Sequence, residues 1–364
     1  MPKALTTTSP AFAQQLVRWQ RQHGRHDLPW QRTRDPYRVW LSEVMLQQTQ
    51  VSTVLGYYER FLARCPDVAA LAAAPADEVM GLWSGLGYYS RARHLHRCAQ
   101  VVVAEHGGVF PSRAEQLQTL PGIGRSTAAA IASLCHEERI AILDGNVKRV
   151  LTRLLAFEQD LAKSAAEKAL WSLAQDMLPA RSSDMPAYTQ GVMDLGATLC
   201  TRSKPRCPDC PVHTLCQAHQ RGEVDRFPIK TRTLKRTSQS WWWLLATNPQ
   251  GEVLLVQRPA TGIWAGLFCL PMFEDEGALL SRLPAVVARQ ATCLPVQLHV
   301  LTHRDLHLHT TVVRMGARQA DALARQTQGL WYAARQWTAL GLPAPVRSLL
   351  TQTLSHPIPG AGAR

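Results

Sequence analysis

The chain has 364 residues, 46% of them hydrophobic, and its 40 lysines and arginines outnumber 27 aspartates and glutamates for a net charge of +13. This composition excludes a disordered chain, is long enough for two domains, and offers no apolar run of about 18 residues to span a membrane. So basic a balance points to a polyanionic partner, nucleic acid before a membrane surface, since no basic amphipathic anchor is visible. The opening residues Met1-Pro2-Lys3-Ala4-Leu5-Thr6 lack an apolar signal region, so a cytosolic location is expected.

Turn signals at Pro29-Trp30-Gln31 and Asp35-Pro36-Tyr37 precede an apolar-dense stretch over 39–51, read as a substantially buried helix. Glu43 lies within it, beside Trp40, Val44, Met45 and Leu46. Such surroundings raise a carboxyl pKa, and an unpaired buried carboxylate is costly, so a salt bridge or a function must account for it. Further on comes Leu120-Pro121-Gly122-Ile123-Gly124-Arg125-Ser126-Thr127. Pro121 ends one helix, Gly122 and Gly124 permit a hairpin with positive φ, and an alanine-rich helix follows. The free N–H groups of such a turn suit a DNA phosphate, with plain connection as the alternative. Asp144-Gly145-Asn146 then opens a helix whose buried stripe is Val147, Val150, Leu151, Leu154 and Leu155; read locally, Asp144 is its N-cap.

A helix over 188–196 leads to the cysteines. Of nine in the chain, Cys65, Cys98, Cys135, Cys269 and Cys293 are scattered and read as small core residues. Cys200, Cys207, Cys210 and Cys216 are clustered, with six, two and five residues between them, as a tetrathiolate site for zinc or an iron–sulfur cluster. Arg202, Lys204 and Arg206 lie between the first two and read as phosphate contacts or as a solvated charge run. Residues 226–236 carry five cations and no acid, a linker able to lie along DNA. Strands follow over 241–246 and 253–256 around a turn at 248–251, continued by 264–271. His303, Asp305, His307 and His309 alternate, which gives a strand a polar face more readily than a metal site. The Pro/Gly tail at 357–362 reads as disordered.

Five motifs in order, Glu43-Val44-Met45-Leu46-Gln47-Gln48-Thr49, Gly85-Leu86-Gly87-Tyr88-Tyr89-Ser90-Arg91-Ala92-Arg93, the glycine hairpin, the Asp144 segment and the cysteines, resemble the adenine DNA glycosylase (MutY) family of the helix-hairpin-helix DNA glycosylase superfamily. The resemblance runs over roughly residues 10–220, and the C-terminal part resembles the family's Nudix-like domain. It implies a multidomain α plus α+β protein. An all-α helix-hairpin-helix domain over 1–222 includes a [4Fe–4S] loop at 200–216, a linker spans 223–240, a Nudix-like α/β sandwich covers 241–354, and a tail completes 355–364.

The resemblance also implies roles. Glu43 and Asp144 become the catalytic pair: Glu43, kept protonated by burial, protonates adenine N7, while ionised Asp144 stabilises positive charge at C1′. Ser126 stands where the endonuclease III branch has its attacking lysine, so base removal without strand cleavage is expected. Gln47, Gln48 and Tyr88 contact DNA near the lesion, with Gln48 and Tyr88 as wedges, and the hairpin residues Gly122, Gly124, Arg125 and Ser126 hold phosphate. Trp30, Leu46, Asn146 and Gln190 line the base pocket. Asp305-Leu306-His307 takes the place of a Phe-Ser-His loop that reads 8-oxoguanine, keeping only His307. Only Glu274, Asp275 and Glu276 follow Pro271, without an Arg-Glu and paired-glutamate series, so a binding module is expected rather than a pyrophosphatase. The implied partner is double-stranded DNA with A·8-oxoguanine or A·G mispairs, bound by a monomer. The alternatives are thymine removal from G·T, an endonuclease III-like glycosylase/lyase, a non-enzymatic DNA-binding iron–sulfur protein, and a Nudix hydrolase.

Overall fold

A computed structural model describes residues 3–231 and 235–355, with side chains from residue 10 to residue 354. Two compact units emerge, Met1–Ala73 with Arg97–Thr233, and Ala74–His96 with Leu234–Arg364. This differs from a single boundary near residue 222, because residues 74–96 bond to the C-terminal part. Ser84 Oγ and Tyr89 OH both donate to the Leu342 carbonyl, at 2.9 and 2.8 Å, and Arg93 Nη1 donates to Ala265 O at 2.7 Å.

Helices come first: α1 Lys3–His23, α2 Pro36–Leu46, α3 Val51–Arg64, α4 Val68–Ala73, α5 Ala76–Leu82 and α6 Ser90–His106. They continue as α7 Ala114–Leu117, α8 Arg125–His136, α9 Gly145–Leu154, α10 Ser164–Asp176, α11 Met185–Thr198 and α12 Gln217–Gln220. In α2, Asp35 caps the start by accepting from Tyr37 N, Pro36 pre-sets the first turn, and Val39, Trp40, Leu41, Val44 and Met45 are all buried. The helix stops before residue 51, where it was expected to end. Gln47-Gln48-Thr49-Gln50 offers no apolar face, and Gln48 turns into the left-handed region at φ +57°. The first unit's core joins Phe12 and Leu16 of α1, Ala129 of α8, Val147 and Leu151 of α9, and Tyr188, Val192 and Leu195 of α11. α1 and α11 approach closely at Gly191, where a Cβ would stand 3.0 Å from Gln20 Cβ. Between α7 and α8 only Gly122 uses positive φ (+77°); Gly124 is extended and caps α8, so the hairpin needs one left-handed glycine rather than two.

The second unit is built on strands β1 Thr237–Thr247, β2 Val253–Gln257, β3 Phe268–Cys269, β4 Met272–Phe273, β5 Thr292–Cys293, β6 Gln297–Val300, β7 Arg304–Arg314 and β8 Leu330–Tyr332. One mixed sheet runs in the order β3-β2-β1-β7-β5, with β1 and β7 parallel from Thr237↔Arg304 to Thr247↔Arg314. Alternate residues of β1 serve two cores. Trp241, Trp243 and Leu245 pack with Leu342, Val346 and Leu350, while Leu244 and Ala246 pack with Leu279, Val287 and Leu323. The helices beyond are α13 Glu276–Leu280, α14 Ala285–Arg289, α15 Ala317–Thr327, α16 Ala334–Trp337 and α17 Ala344–Ser355, so the expected α/β sandwich is present. β1 already begins at Thr237, inside the stretch expected as linker; residues 232–234 of that stretch, and the tail from 356, lie outside the described residues. No described helix is long and apolar enough to cross a membrane.

Candidate active site

Within the first unit, α2, α8, α9 and α11 enclose a cleft of about 1060 Å³. Trp30, Glu43, Leu46, Gln47, Gln48, Ser126, Asp144, Asn146, Gln190 and Arg202, far apart in sequence, all line it. Glu43 is half-buried on α2. Loss of water pushes its carboxyl up to about 7, and the nearby Asp144 charge adds to the rise. Asp144 caps α9 as expected, its Oδ1 accepting from Val147 N at 2.7 Å. Burial pushes its carboxyl up as well, but the N–H groups of Val147 and Asn146 and the cations of Arg149 and Lys148 pull the other way. Two carboxyls thus share one cleft, and only one of them sits in the positive field of a helix start.

Hydrogen bonds fix the surroundings. Ser126 Oγ accepts from Leu143 N at 3.1 Å, tying the first turn of α8 to the segment that delivers Asp144. Gln47 Nε2 donates to Thr127 Oγ1 at 3.4 Å, joining the end of α2 to α8. Gln190 Nε2 donates at 2.9 Å to Asp194 Oδ1, one turn along α11. Asp194 is fully buried and paired with Arg25, whose Nη2 lies 2.7 Å away and whose backbone N–H donates to Asp194 Oδ2 at 3.0 Å. Arg149 Nη2 donates to Asn146 Oδ1 and Gly196 O, and its Nε to Cys200 O, linking the base of the cleft to the cysteine loop. Sequence reasoning missed Arg25, Asp194 and Arg149. The one available signal was an aspartate four residues after Gln190 in an otherwise apolar helix.

All four clustered cysteines line a single pocket between α9, α11 and the loop, beside Val150, Leu154 and Leu199. Burial pushes the Cys207 and Cys216 thiols up and the Cys210 thiol up to about 12. Such thiols stay neutral unless bound cations draw them into the thiolate form, which a metal group supplies. Arg153, 2% exposed, points Nη1 at Cys200 Sγ (3.4 Å) and at Thr201 O (2.7 Å). Among the described residues, no three His, Cys, Asp or Glu side chains are grouped to hold a single metal ion.

Residues 41–176 match the family described as HhH-GPD superfamily base excision DNA repair protein, and residues 242–352 match the NUDIX domain. The chain is 32% identical over 347 residues to the adenine DNA glycosylase of Buchnera aphidicola subsp. Baizongia pistaciae (strain Bp), covering 95% of this chain and 97% of that one. The chain belongs to the adenine DNA glycosylase family. The Homo sapiens member is 47% identical over 320 residues, 73% of this chain and 58% of that protein. Among solved structures, a thermostable thymine-DNA glycosylase aligns with a TM-score of 0.53 and 27% identity, over 60% of this chain and 99% of that one.

Family residues outside the cleft fall into three groups. Gly122, Gly124 and the exposed Arg125 form the hairpin; no atom lies within 4 Å of a Cβ built on Gly124, and the Arg125 guanidinium stacks 3.9 Å from the Trp171 ring. Lys204 is exposed, whereas Arg206 is engaged by Asp209 and the Thr198 carbonyl. In the second unit, Tyr88 is 44% exposed at φ +47°, and its hydroxyl lies 2.7 Å from Thr302 Oγ1. Gln48 and Tyr88, the residues expected as wedges, are both non-glycine residues held in the left-handed region, a strain that persists only where surrounding structure enforces it. The expectation for Asp305-Leu306-His307 as a loop is corrected. These residues sit inside β7, where His307 pairs with Ser240 and Leu298, because Leu306 and Leu308 alternate into the core. The turn of the β6–β7 hairpin is instead Leu301, Thr302 and His303, closed by Leu301 N to Arg304 O at 2.8 Å.

Proposed function

We propose that the protein excises adenine mispaired with 8-oxoguanine or guanine from double-stranded DNA, as a monomer, by flipping the base into the Glu43 cleft. The observation that carries this is Glu43, with a carboxyl pushed up to about 7, in one cleft with the N-capping Asp144. Near neutral pH a large fraction of Glu43 holds the proton that adenine N7 needs to leave as a neutral base. General acid help of this kind supplies ~10²–10⁴-fold in rate. Asp144, at the positive start of α9, opposes the positive charge that grows at C1′. Extruding the base costs a few kcal/mol, which Gln48 at the mouth of the cleft offsets by occupying the gap.

Ser126 presents a hydroxyl where an amine would make a Schiff base, so the reaction stops at the abasic site. Cys200, Cys207, Cys210 and Cys216 fit a [4Fe–4S] cluster, which when bound pins residues 200–216 and with them Arg202 and Lys204 against phosphate. In the second unit, the Asp275 carboxylate caps α13 by accepting from Ala278 N at 2.7 Å, and no glutamate series follows it, which supports a binding module without pyrophosphatase activity. We place recognition of the base opposite adenine at the β6–β7 turn rather than at the expected His307, because Thr302 and His303 are exposed there while His307 is paired inside β7. One assay tests the proposal: purified protein is incubated with duplexes carrying A·8-oxoguanine, A·G, T·G and thymine glycol. Alkali-dependent strand cleavage confined to the adenine duplexes is expected. Cleavage at T·G alone, or cleavage without alkali, would reassign the enzyme.

A further inference from the structure

Among Tyr188, Val192 and Leu195, which seat α11 in the core, stands one fully buried carboxylate, Asp194. A carboxylate in such a place is costly unless it is neutralised and hydrogen-bonded. Four donors meet it. Arg25 Nε and Nη2 each lie 2.7 Å from Oδ1, the Arg25 backbone N–H donates to Oδ2 at 3.0 Å, and Gln190 Nε2 donates to Oδ1 at 2.9 Å. Apolar side chains of like size often serve stability equally well, because desolvating a buried charge offsets its Coulombic attraction. Stability alone therefore does not account for an acid at this position.

Its effect on Gln190 does. A carboxylate accepts hydrogen bonds and donates none, so the Gln190 amide must turn its nitrogen to Asp194; the flipped amide would set oxygen against oxygen. The other branch of the amide is then fixed as an acceptor. That atom, Oε1, accepts no hydrogen bond from the described residues and is not sealed from solvent. Gln190 lines the same cleft as Glu43. Adenine carries an N6–H donor beside N7 on one edge, whereas guanine and hypoxanthine carry an O6 acceptor there. With Glu43 directed to N7, the neighbouring 6-substituent is what a second cleft side chain meets. We propose that Asp194 is a positioning residue: it fixes the hand of the Gln190 amide, so that the pocket offers an acceptor to the 6-position, admits adenine and rejects 6-oxopurines. The inference rests on the adenine reading of the cleft and deepens it.

The test is a quotient of two rates on one preparation. Single-turnover excision is measured on duplexes carrying adenine or hypoxanthine opposite 8-oxoguanine. Comparing that quotient between parent and variant cancels leaving-group chemistry and any inactive fraction of the protein. Asp194→Leu keeps the branched shape and removes the acceptor, so the preference for adenine should fall about tenfold or more. Asp194→Asn keeps one oxygen where Arg25 and Gln190 converge, so it should hold the preference within about twofold while melting lower. A merely structural Asp194 would slow both reactions alike, and an unchanged quotient in Asp194→Leu would overturn the proposal. An equal fall in Asp194→Asn would overturn it too, since the charge rather than the acceptor would then matter. Should Asp194→Leu fail to fold, Gln190→Leu decides: losing the amide should cost the same preference, and an undiminished quotient would leave Asp194 nothing to act through. A parent that excises no adenine removes the underlying activity instead, a result distinct from an unchanged quotient.

Discussion

At Glu43 the burial that makes a proton donor also costs stability. The native carboxyl titrates near 7 against an ordinary 4.5, so between those values the folded protein holds a proton that the unfolded chain has already lost. The contribution to stability is fully present below pH 4.5, drains away as pH rises toward 7, and is flat above, about 3 kcal/mol in all. Glu43→Gln removes that loss while also removing the acid. The variant should therefore melt higher than the parent at pH 8, melt alike at pH 4, keep its DNA affinity, and lose ~10²–10⁴-fold or more in single-turnover excision. Parent excision should fall about tenfold per pH unit above 7 as the acid form is depleted; a flat profile would remove Glu43 as the donor. Ser126 allows an equally local test. Its hydroxyl faces the cleft at the start of α8, and a lysine there, its pKa lowered by partial burial among cations, could attack C1′. Ser126→Lys should add strand cleavage and yield a borohydride-trapped protein–DNA adduct that the parent does not form. Excision without trapping would mean that residue 126 does not face the sugar.

At the scale of elements, the chain was legible where local chemistry dictates local form. The apolar density of α2, the capping aspartate of α9, the alternation along β7 and the cysteine spacing all carry their own signal, and the cleft collects ten of the expected site residues. Long-range pairing was not legible. The parallel β1–β7 ladder joins strands more than fifty residues apart, and the transfer of residues 74–96 to the second unit rests on Leu342 and Ala265 carbonyls that no local pattern announces. Nor does sequence print a φ angle: the resemblance marks Gln48 and Tyr88 as wedges, but nothing in their residue types announces a left-handed backbone. The cysteine loop links both kinds of information, because Arg149 connects Cys200 O to Gly196 and Asn146 at the cleft. Purified protein should be brown, with iron and acid-labile sulfide near four per chain. Cys210→Ser should lose the colour and most of the DNA affinity while helical content stays close to that of the parent. A colourless preparation with one zinc and full activity would exclude the cluster.

Across the whole molecule, attraction and discrimination are carried by different residues. A net charge of +13 draws the protein to any duplex, and in the proposed complex Arg202 and Lys204 hold phosphates that carry no base information. Removing one such contact by Lys204→Ala should weaken binding equally for A·8-oxoguanine and A·G, and should lower the slope of log affinity against log salt by about one. Discrimination requires a group that meets the opposite base. The proposed one is the β6–β7 turn of the second unit, where His303 is exposed and the Tyr88 hydroxyl lies 2.7 Å from Thr302 Oγ1. His303→Ala should leave the salt slope and the A·G excision rate unchanged while reducing the preference for 8-oxoguanine over guanine by about tenfold, the worth of one base contact of ~1–3 kcal/mol. Tyr88→Phe removes only the hydroxyl that steadies Thr302, so it should lose part of the same preference and add little to His303→Ala in the double variant, since the two act through one turn. Additive losses would mean that Tyr88 and the turn read the DNA separately. An unchanged preference in both would place recognition of the opposite base elsewhere in the protein.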